Sequence, residues 1–444
     1  MQLHDMCSKL YHQRLRCSAA VLGLTLAIVS AAHAQTATTF EEAISPQFSY
    51  AEAVQQTSDG GYVVGATFSS PPYTALVAKL DSSGNLQWQK QYQSSIGSSA
   101  LYALNQTSDG GYVCAGYLQD SSTYAEYAIV AKLDSSGNVQ WQKTYGVAEY
   151  ATDIRQTTDG GYIVGGVTPP SATIVQGWIA KLDSSGNLQW QKVLGSSQSV
   201  MANSVIQTTD GGYALAGLAK ANVFVAKFDS SGNVKWQTVY TSPSSLGLGY
   251  SIVQTSDGGY MVAGYDNDSP FLALALKLGS SGNVRWAKTY HVSGATSEFF
   301  SVRQTSDGGY AFSGQFVTGI GYYYGYNAWM VKTDSGGNVQ WQKAYGNPNY
   351  AAVFDKVGLT SDGGFVAGGW TLEFNNQNEA YIVKTDSGGK VNKCSDVQAP
   401  TATAASLSEN ASQAKLSISA PTNAAESGTV SASSTSFTLS VECH

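Results

Sequence analysis

Short runs in which apolar and polar residues alternate recur along the chain, and Gly, Asp, Asn and Ser separate them. A period of two sends successive side chains to opposite faces of a strand, so the pattern predicts strands. The runs 102–107, 112–117, 128–133 and 139–145 predict four consecutive strands in one stretch of the chain. Tight Gly-containing turns join the first strand to the second and the third to the fourth, which predicts two hairpins.

This four-strand unit occurs seven times with a period close to 50 residues. Each copy carries the phrase Asp-Gly-Gly-aromatic, with its Asp at 59, 109, 159, 210, 257, 307 and 362. A second phrase, Asp-Ser-Ser-Gly-Asn or a variant, follows, and seven residues after its start six copies have a Trp: Trp88, Trp141, Trp190, Trp236, Trp286 and Trp341. Two hairpins per period of this length are typical of a propeller blade. We therefore predict an all-β, seven-bladed β-propeller of four-stranded antiparallel blades, with the indoles packed between blades.

The ends of the repeat region predict how the ring closes. Residues 39–42 align with 87–90, so a lone fourth strand precedes the first complete copy. The seventh copy has Lys393 where the others have Trp. We predict that the N-terminal strand completes the last blade. Residues 416–420 and 437–443 alternate again, and we expect a short C-terminal β-hairpin extension that lies on or projects from the propeller.

The first 34 residues have the features of a signal peptide. A basic segment precedes an apolar run, and Ala32-His33-Ala34 fits the cleavage rule. The run is shorter than the ~20 residues that span a bilayer, and we predict no membrane span after its removal. We expect an exported protein, in the periplasm, at the cell surface or outside the cell, with 35–393 as the propeller and 394–444 as a Ser/Thr/Ala-rich extension. Disulfides persist in such compartments, and we predict that Cys394 and Cys443 pair.

Charge and histidine content narrow the possible functions. Only 12% of the residues are charged and the formal charge is −7, which argues against a nucleic-acid binder. Most Lys and Asp recur once per blade and so belong to the blade itself. His291, predicted in a loop, and His444 alone follow the signal segment, too few for a histidine metal site. We predict no catalytic residues, metal or cofactor, and we interpret Cys114, at an otherwise apolar strand position, as a buried hydrophobic residue.

Two groups of residues are candidates for ligand binding. Arg155 and Arg303 occupy the same position of the innermost strand in blades three and six, where they could face an anion across a central channel; the alternative for Arg155 is a local pair with Asp153. The loops between strands two and three vary in length, and variable loops on one rim are typical of a binding face. The longest of them contains Tyr322, Tyr323, Tyr324 and Tyr326, which suit stacking on sugars or contact with a protein, or pack on one another.

The phrases Lys-Leu-Asp-Ser-Ser-Gly-Asn-Val-Gln-Trp and Gln-Thr-Ser-Asp-Gly-Gly-Tyr resemble those of uncharacterised secreted bacterial and archaeal propellers. More distantly, residues 38–393 resemble the quinoprotein-dehydrogenase-type (PQQ-like) propellers. This resemblance implies the fold; no cofactor-site residue of that family has a match here.

Three functions remain open from the sequence. The first is a non-enzymatic, monomeric binding or scaffold protein whose variable rim engages a glycan or an extracellular protein. The second is a quinoprotein-like or other propeller enzyme with an anionic ligand in the channel. The third is a structural surface or adhesion component.

Overall fold

The computed structural model describes residues 39–44, 49–68, 71–146, 148–171, 174–195, 199–241, 247–266, 271–318, 325–373 and 378–391, together with six short strands between 402 and 441. The described residues form strands and turns and include no helix. Seven antiparallel sheets carry the blades. The predicted seven-bladed β-propeller is confirmed.

The strands of blades 1 to 4 follow the repeat along the chain. They are β2 (Ser49–Gln56), β3 (Tyr62–Phe68), β4 (Thr74–Leu80) and β5 (Leu86–Ser94); β6 (Gly97–Gln106), β7 (Tyr112–Asp120), β8 (Glu126–Leu133) and β9 (Val139–Tyr145); β10 (Tyr150–Gln156), β11 (Tyr162–Ser171), β12 (Ile174–Leu182) and β13 (Leu188–Leu194); and β14 (Val200–Gln207), β15 (Tyr213–Ala219), β16 (Asn222–Phe228) and β17 (Val234–Thr241).

Blades 5 to 7 complete the ring, and the last takes its outer strand from the N-terminal part of the chain. They are β18 (Gly247–Gln254), β19 (Tyr260–Asp266), β20 (Leu272–Leu278) and β21 (Val284–Val292); β22 (Thr296–Gln304), β23 (Tyr310–Val317), β24 (Tyr326–Thr333) and β25 (Val339–Tyr345); and β26 (Ala352–Leu359), β27 (Phe365–Thr371), β28 (Glu379–Thr385) and β1 (Phe40–Ile44). Strand β1 pairs antiparallel with β28, from Phe40 opposite Lys384 to Ile44 opposite Ala380. The predicted N-terminal closure is therefore confirmed.

Aromatic side chains on the outer strand of one blade contact the next blade. The Trp88 ring lies against Gly137 of blade 2, where a Cβ would stand only 2.8 Å from it, and at an edge-on angle to Tyr112. The Tyr92 hydroxyl donates to the Gly137 carbonyl at 2.8 Å. Gly137 has a positive φ of 77°, so the second turn needs glycine both for its backbone and for this close approach. The predicted packing of Trp between blades is confirmed, with the indoles half-buried.

A ring of hydrogen bonds joins the inner strands of neighbouring blades. The Gln side chain that ends an inner strand accepts a bond from a backbone N–H in the Asp-Gly-Gly turn of the preceding blade. The pairs are Ser58–Gln106, Ser108–Gln156, Thr158–Gln207, Thr209–Gln254, Ser256–Gln304 and Ser361–Gln56. The last pair joins blade 7 to blade 1. Blade 7 itself has Leu359 at this position, which has no acceptor, so blades 6 and 7 lack the equivalent bond.

The C-terminal segment differs from its prediction. We expected a hairpin, but its strands β29 (Ala402–Ser406), β30 (Asn410–Gln413), β31 (Ile418–Ser419), β32 (Ala425–Glu426), β33 (Val430–Ser434) and β34 (Leu439–Val441) lie in six different sheets. Each pairs antiparallel with the outer strand of one blade, in the order 5, 4, 3, 2, 1 and 7. The hairpin prediction was wrong because period-two alternation marks a strand without marking its partner. We call β29–β34 and their connections the belt.

Candidate functional site

The first strands of the blades surround a central channel, in which five of them line a cavity of about 220 Å³. The five strands are β2, β6, β10, β22 and β26. Their polar residues at the cavity are Gln55, Gln56, Asn105, Asp153, Arg155, Arg303 and Lys356. Gln56 and Leu359 stand immediately before the Asp-Gly-Gly turns, so the cavity lies toward that end of the channel. The variable loops lie at the opposite end of the strands.

Arg155 is held in place by neighbours on two blades. Its guanidinium donates to the Asn105 side-chain oxygen at 2.6 Å, and its Nε lies 3.5 Å from an Asp153 oxygen. The Asn105 amide in turn donates to the Ile154 carbonyl at 2.7 Å. The local ion pair that the sequence offered as an alternative is therefore present. It does not remove Arg155 from the channel, because the side chain still lines the cavity.

Asp153 is the buried carboxylate of this cluster, and its oxygens are already engaged. One oxygen accepts a bond from the Ile154 backbone N–H at 2.9 Å. The other accepts from the Ser204 hydroxyl at 3.0 Å and the Val205 N–H at 3.1 Å, both on blade 4. These bonds fix Asp153 between blades 3 and 4. Asp153 and, for Lys356, Glu52 attract the cations at this cavity, so two carboxylates face Arg155, Arg303 and Lys356.

Arg303 and Lys356 form no ion pair within the part of the chain that the structure describes, although Asp153 attracts both and Glu52 also attracts Lys356. Arg303 donates to its neighbouring carbonyl, Val302, at 2.8 Å. Burial, and then the positive charge of Arg155, lower the Arg303 pKa to about 10, although Asp153 opposes this. Burial also lowers the pKa of Lys356. The attraction of Asp153 opposes this, both arginines lower the pKa further, and Glu52 raises it. The three cations thus repel one another inside a protein-walled cavity.

Sequence reasoning found two of these cations and missed Lys356. Arg155 and Arg303 occupy one inner-strand position, whereas Lys356 lies two residues earlier in its repeat, at the position that Asp153 occupies in blade 3. Residues two apart on a strand share a face. A search of both positions that face the channel would have found Lys356.

The tyrosine-rich loop lies largely outside the described residues. This holds for Tyr322, Tyr323 and Tyr324, so their role stays a prediction. Tyr326 begins β24 and is half-buried, with its ring centroid 6.3 Å from that of Trp370 on blade 7. It does not line the channel cavity. Cys394 and Cys443 also lie outside the described residues, and their pairing is not tested by them.

The structure also shows the surroundings of Cys114 and His291, two other residues that stand out in the sequence. Cys114 is buried between blades 1 and 2, and burial raises its thiol pKa to about 12, which suppresses the thiolate. Its interpretation as a buried hydrophobic residue is confirmed. His291 was expected in a loop, but it lies within β21 and pairs with Thr403 of the belt.

Two further features are absent from the residues that the structure describes. They contain no cluster of three or more His, Cys, Asp or Glu that could hold a metal ion. Within the same residues no helix has the length and apolar character to cross a membrane.

Comparisons with known proteins do not assign an activity. No protein-family model and no curated protein matches this chain. Among solved structures it is similar to a crystal structure of a protein of unknown function from Dyadobacter fermentans DSM 18053. The two share 10% sequence identity with a TM-score of 0.47, over 78% of this chain and 97% of the other.

Proposed function

We propose that this protein is an exported binding propeller whose central channel takes the anionic group of its ligand. The observation that carries the proposal is the grouping of Arg155, Arg303 and Lys356 around one cavity, where among the described residues only Arg155 forms an ion pair. Cations enclosed by protein lose hydration and repel each other, and an anion between them relieves both costs. Guanidinium groups are also suited to carboxylate and phosphate oxygens.

The rest of the cavity wall favours binding over chemistry. Gln55, Gln56 and Asn105 line the cavity with amide groups whose oxygens already accept bonds within the protein, and Asp153 is committed to the hydrogen bonds that tie blade 3 to blade 4. Such groups orient a ligand through polar contacts without forming a covalent bond to it. The ligand class that fits is a small molecule, or the end of a glycan or peptide, that bears carboxylate or phosphate.

Calorimetric titration with inorganic phosphate, citrate and glucuronate tests this proposal. We expect at least one of them to bind, and we expect Arg303→Gln and Lys356→Gln each to weaken that binding about tenfold. Lys235→Gln is the matched control, because Lys235 is an exposed cation on an outer strand. No binding to the wild-type protein, or equal binding by channel and control variants, would contradict the proposal.

Exposed aromatic residues on the variable loops favour a second function, glycan or protein binding at that rim. Tyr124, in the loop before β8, is 75% exposed, and Phe271, just before β20, is 41% exposed. Exposed aromatic rings on loops are suited to stacking on sugars and to protein contacts. A glycan array probed with wild type, Tyr124→Ala and Phe271→Ala tests this function. A hit that both variants retain would count against it.

A cofactor-binding assay tests the enzyme alternative that the distant resemblance to quinoprotein propellers implies. Incubation with pyrroloquinoline quinone and Ca²⁺, followed by gel filtration, shows whether a stoichiometric chromophore stays with the protein. Under the proposed binding function none does, and a retained chromophore would favour the enzyme alternative.

A further inference from the structure

The belt is in register with the blades at one fixed interval. In each of six blades, one belt residue pairs with the outer-strand residue that lies three positions after the Trp, or after Phe40 in blade 7. These belt residues are Ala405, Ser412, Ser419, Glu426, Ser433 and Ser440. Successive members are seven residues apart without exception. Each of the six blades that pair with β29–β34 is therefore served by one seven-residue unit of the belt.

The sequence of the belt carries the same period. The residue before each of these positions is apolar: Ala404, Ala411, Ile418, Ala425, Ala432 and Leu439. One further interval back from Ala404 stands Val397, also apolar, which lies outside the described residues. The sequence thus contains seven units for a ring of seven blades.

The two cysteines that flank the belt are separated by a multiple of the same seven-residue interval. Cys443 follows Cys394 by 49 residues, which is seven intervals of seven. The two cysteines therefore occupy the same position of the seven-residue repeat, and seven units separate them. With one unit per blade, a chain that passes around all seven blades brings two such positions together. We propose that a disulfide between Cys394 and Cys443 closes the belt into a covalent loop around the whole propeller.

The described ends of the belt lead to the same blade. Val391, three residues before Cys394, packs in one cluster with Val383 of β28 in blade 7. Val441, two residues before Cys443, pairs with Glu42 of β1, the outer strand of blade 7. The chain therefore leaves blade 7 shortly before the first cysteine and returns to blade 7 shortly before the second.

The closure is a two-electron oxidation. The two thiols lose two protons and two electrons and form one S–S bond, while a protein or small-molecule disulfide is reduced to two thiols. The exporting compartments predicted from the signal segment supply such oxidants. Because the described belt strands cover the outer strands of six blades and the proposed loop also passes the seventh, the loop opposes separation of any pair of blades, in addition to the closure by β1.

Thiol counting on the exported, denatured chain tests the bond itself. Residues 35–444 contain three cysteines, so the proposal predicts one free thiol, that of Cys114, and three after reduction. Cys114→Ser should leave none. Reduction, Cys394→Ser and Cys443→Ser should each lower the melting temperature by several degrees, whereas Cys114→Ser should respond to reductant as wild type does. Three free thiols in the unreduced chain would overturn the proposal.

Shortening the belt distinguishes a disulfide that closes a loop around the ring from a disulfide that joins the two cysteines locally. Deletion of residues 414–420 removes one unit, or ~24 Å of extended reach, and should leave all three thiols free. Replacement of the same seven residues by Gly and Ser keeps the length and should restore the bond. If the shortened chain still forms the disulfide, the two cysteines are joined locally and the loop around the ring is refuted.

A cross-link between the belt and a blade tests the register independently of the native cysteines. In a chain with Cys114, Cys394 and Cys443 replaced by Ser, Gln91→Cys and Ser433→Cys stand at paired positions and should form a disulfide. Thr144→Cys with Ser433→Cys joins positions one unit out of register and should not. Equal yields from the two pairs, or no bond in the first, would overturn the belt register on which the closure depends.

Discussion

The Nζ of Lys79 lies 2.9 Å from an Asp59 oxygen, and this contact between the third strand and the first turn recurs in all seven blades. The other pairs are Lys132–Asp109, Lys181–Asp159, Lys227–Asp210, Lys277–Asp257, Lys332–Asp307 and Lys384–Asp362. In each pair the Lys is buried and the Asp is at least one-third exposed. The repetition shows that these Lys and Asp residues maintain the blades.

These pairs predict how acid unfolds the protein. Hydrogen bonds from Thr208, opposed by burial, and then from Lys227 lower the pKa of Asp210 from 3.8 to about 2. A depressed carboxyl pKa adds stability above the unfolded value that is lost as the pH falls toward the folded one. We expect the free energy of unfolding to fall steeply between pH 4 and 2. Urea titrations across that range measure it.

Lys227→Met isolates the contribution of one pair. It removes the ion pair and the bond from Nζ to the Phe228 carbonyl, and we expect a loss of about 1–3 kcal/mol at pH 7 that shrinks toward pH 2. Lys235→Met, at an exposed site, should change stability by less than about 0.5 kcal/mol. A loss that does not depend on pH would show that the pair acts through packing alone.

The two glycines of the Asp-Gly-Gly turn should differ in their response to alanine. Gly60 has a φ of +83° and open space around its Cβ position, so Gly60→Ala should cost about 1–2 kcal/mol of backbone strain. A Cβ at Gly61 would stand 2.3 Å from the Leu80 carbonyl oxygen and 2.4 Å from the Lys79 Nζ. Gly61→Ala should therefore cost more than Gly60→Ala, as measured by urea unfolding. Equal losses would mean that the strand and the Lys move aside freely.

The repeat made most of this architecture predictable, and the exceptions have physical causes. Asp109 and Gly110 have equivalents in all seven copies and Trp141 in six, so blade number and hairpin positions followed from their spacing. The belt has small residues whose partners are far away in sequence, and an isolated strand such as Ile418–Ser419 carries no mark of the sheet that it joins. Lys356 was missed because a unique residue in one blade has no repeat to draw attention to it.

Leu359→Gln should stabilise the ring. The Leu interrupts the circle of Gln side chains that accept bonds from backbone N–H groups of the preceding blade, and it is 39% exposed. A Gln at this position could accept from the backbone N–H of Ser306, which is equivalent to Ser58 and Ser256. We expect a gain of about 0.5–1.5 kcal/mol in urea unfolding. Gln56→Leu, which removes the bond between blades 7 and 1, should lose a similar amount, and a gain from it would contradict this account.

Because the carboxyl of Glu42 is buried, we expect the closure between blades 7 and 1 to weaken as the pH rises. Glu42 lies two residues after Phe40, where the outer strands of five other blades have a Lys and that of blade 4 has Thr238; Lys90, for example, donates to the Asn138 side-chain oxygen of the next turn at 2.6 Å. Burial, and then the charge of Asp81, raise the Glu42 pKa from 4.5 to about 8, and its Oε2 is buried without a hydrogen-bond partner among the described residues.

A raised carboxyl pKa means that the folded state binds the proton more tightly than the unfolded chain does. Its contribution is therefore favourable below pH 4.5 and declines as the pH rises through about 8. Glu42→Gln should be more stable than wild type by about 1–3 kcal/mol at pH 8, with a smaller difference at pH 5. Glu42→Lys should match or exceed it at pH 8, because it restores the cation found beside the Asn of the turn in other blades. Thermal unfolding at both pH values measures these differences, and a wild type as stable as Glu42→Gln at pH 8 would show that the carboxyl reaches solvent when ionised.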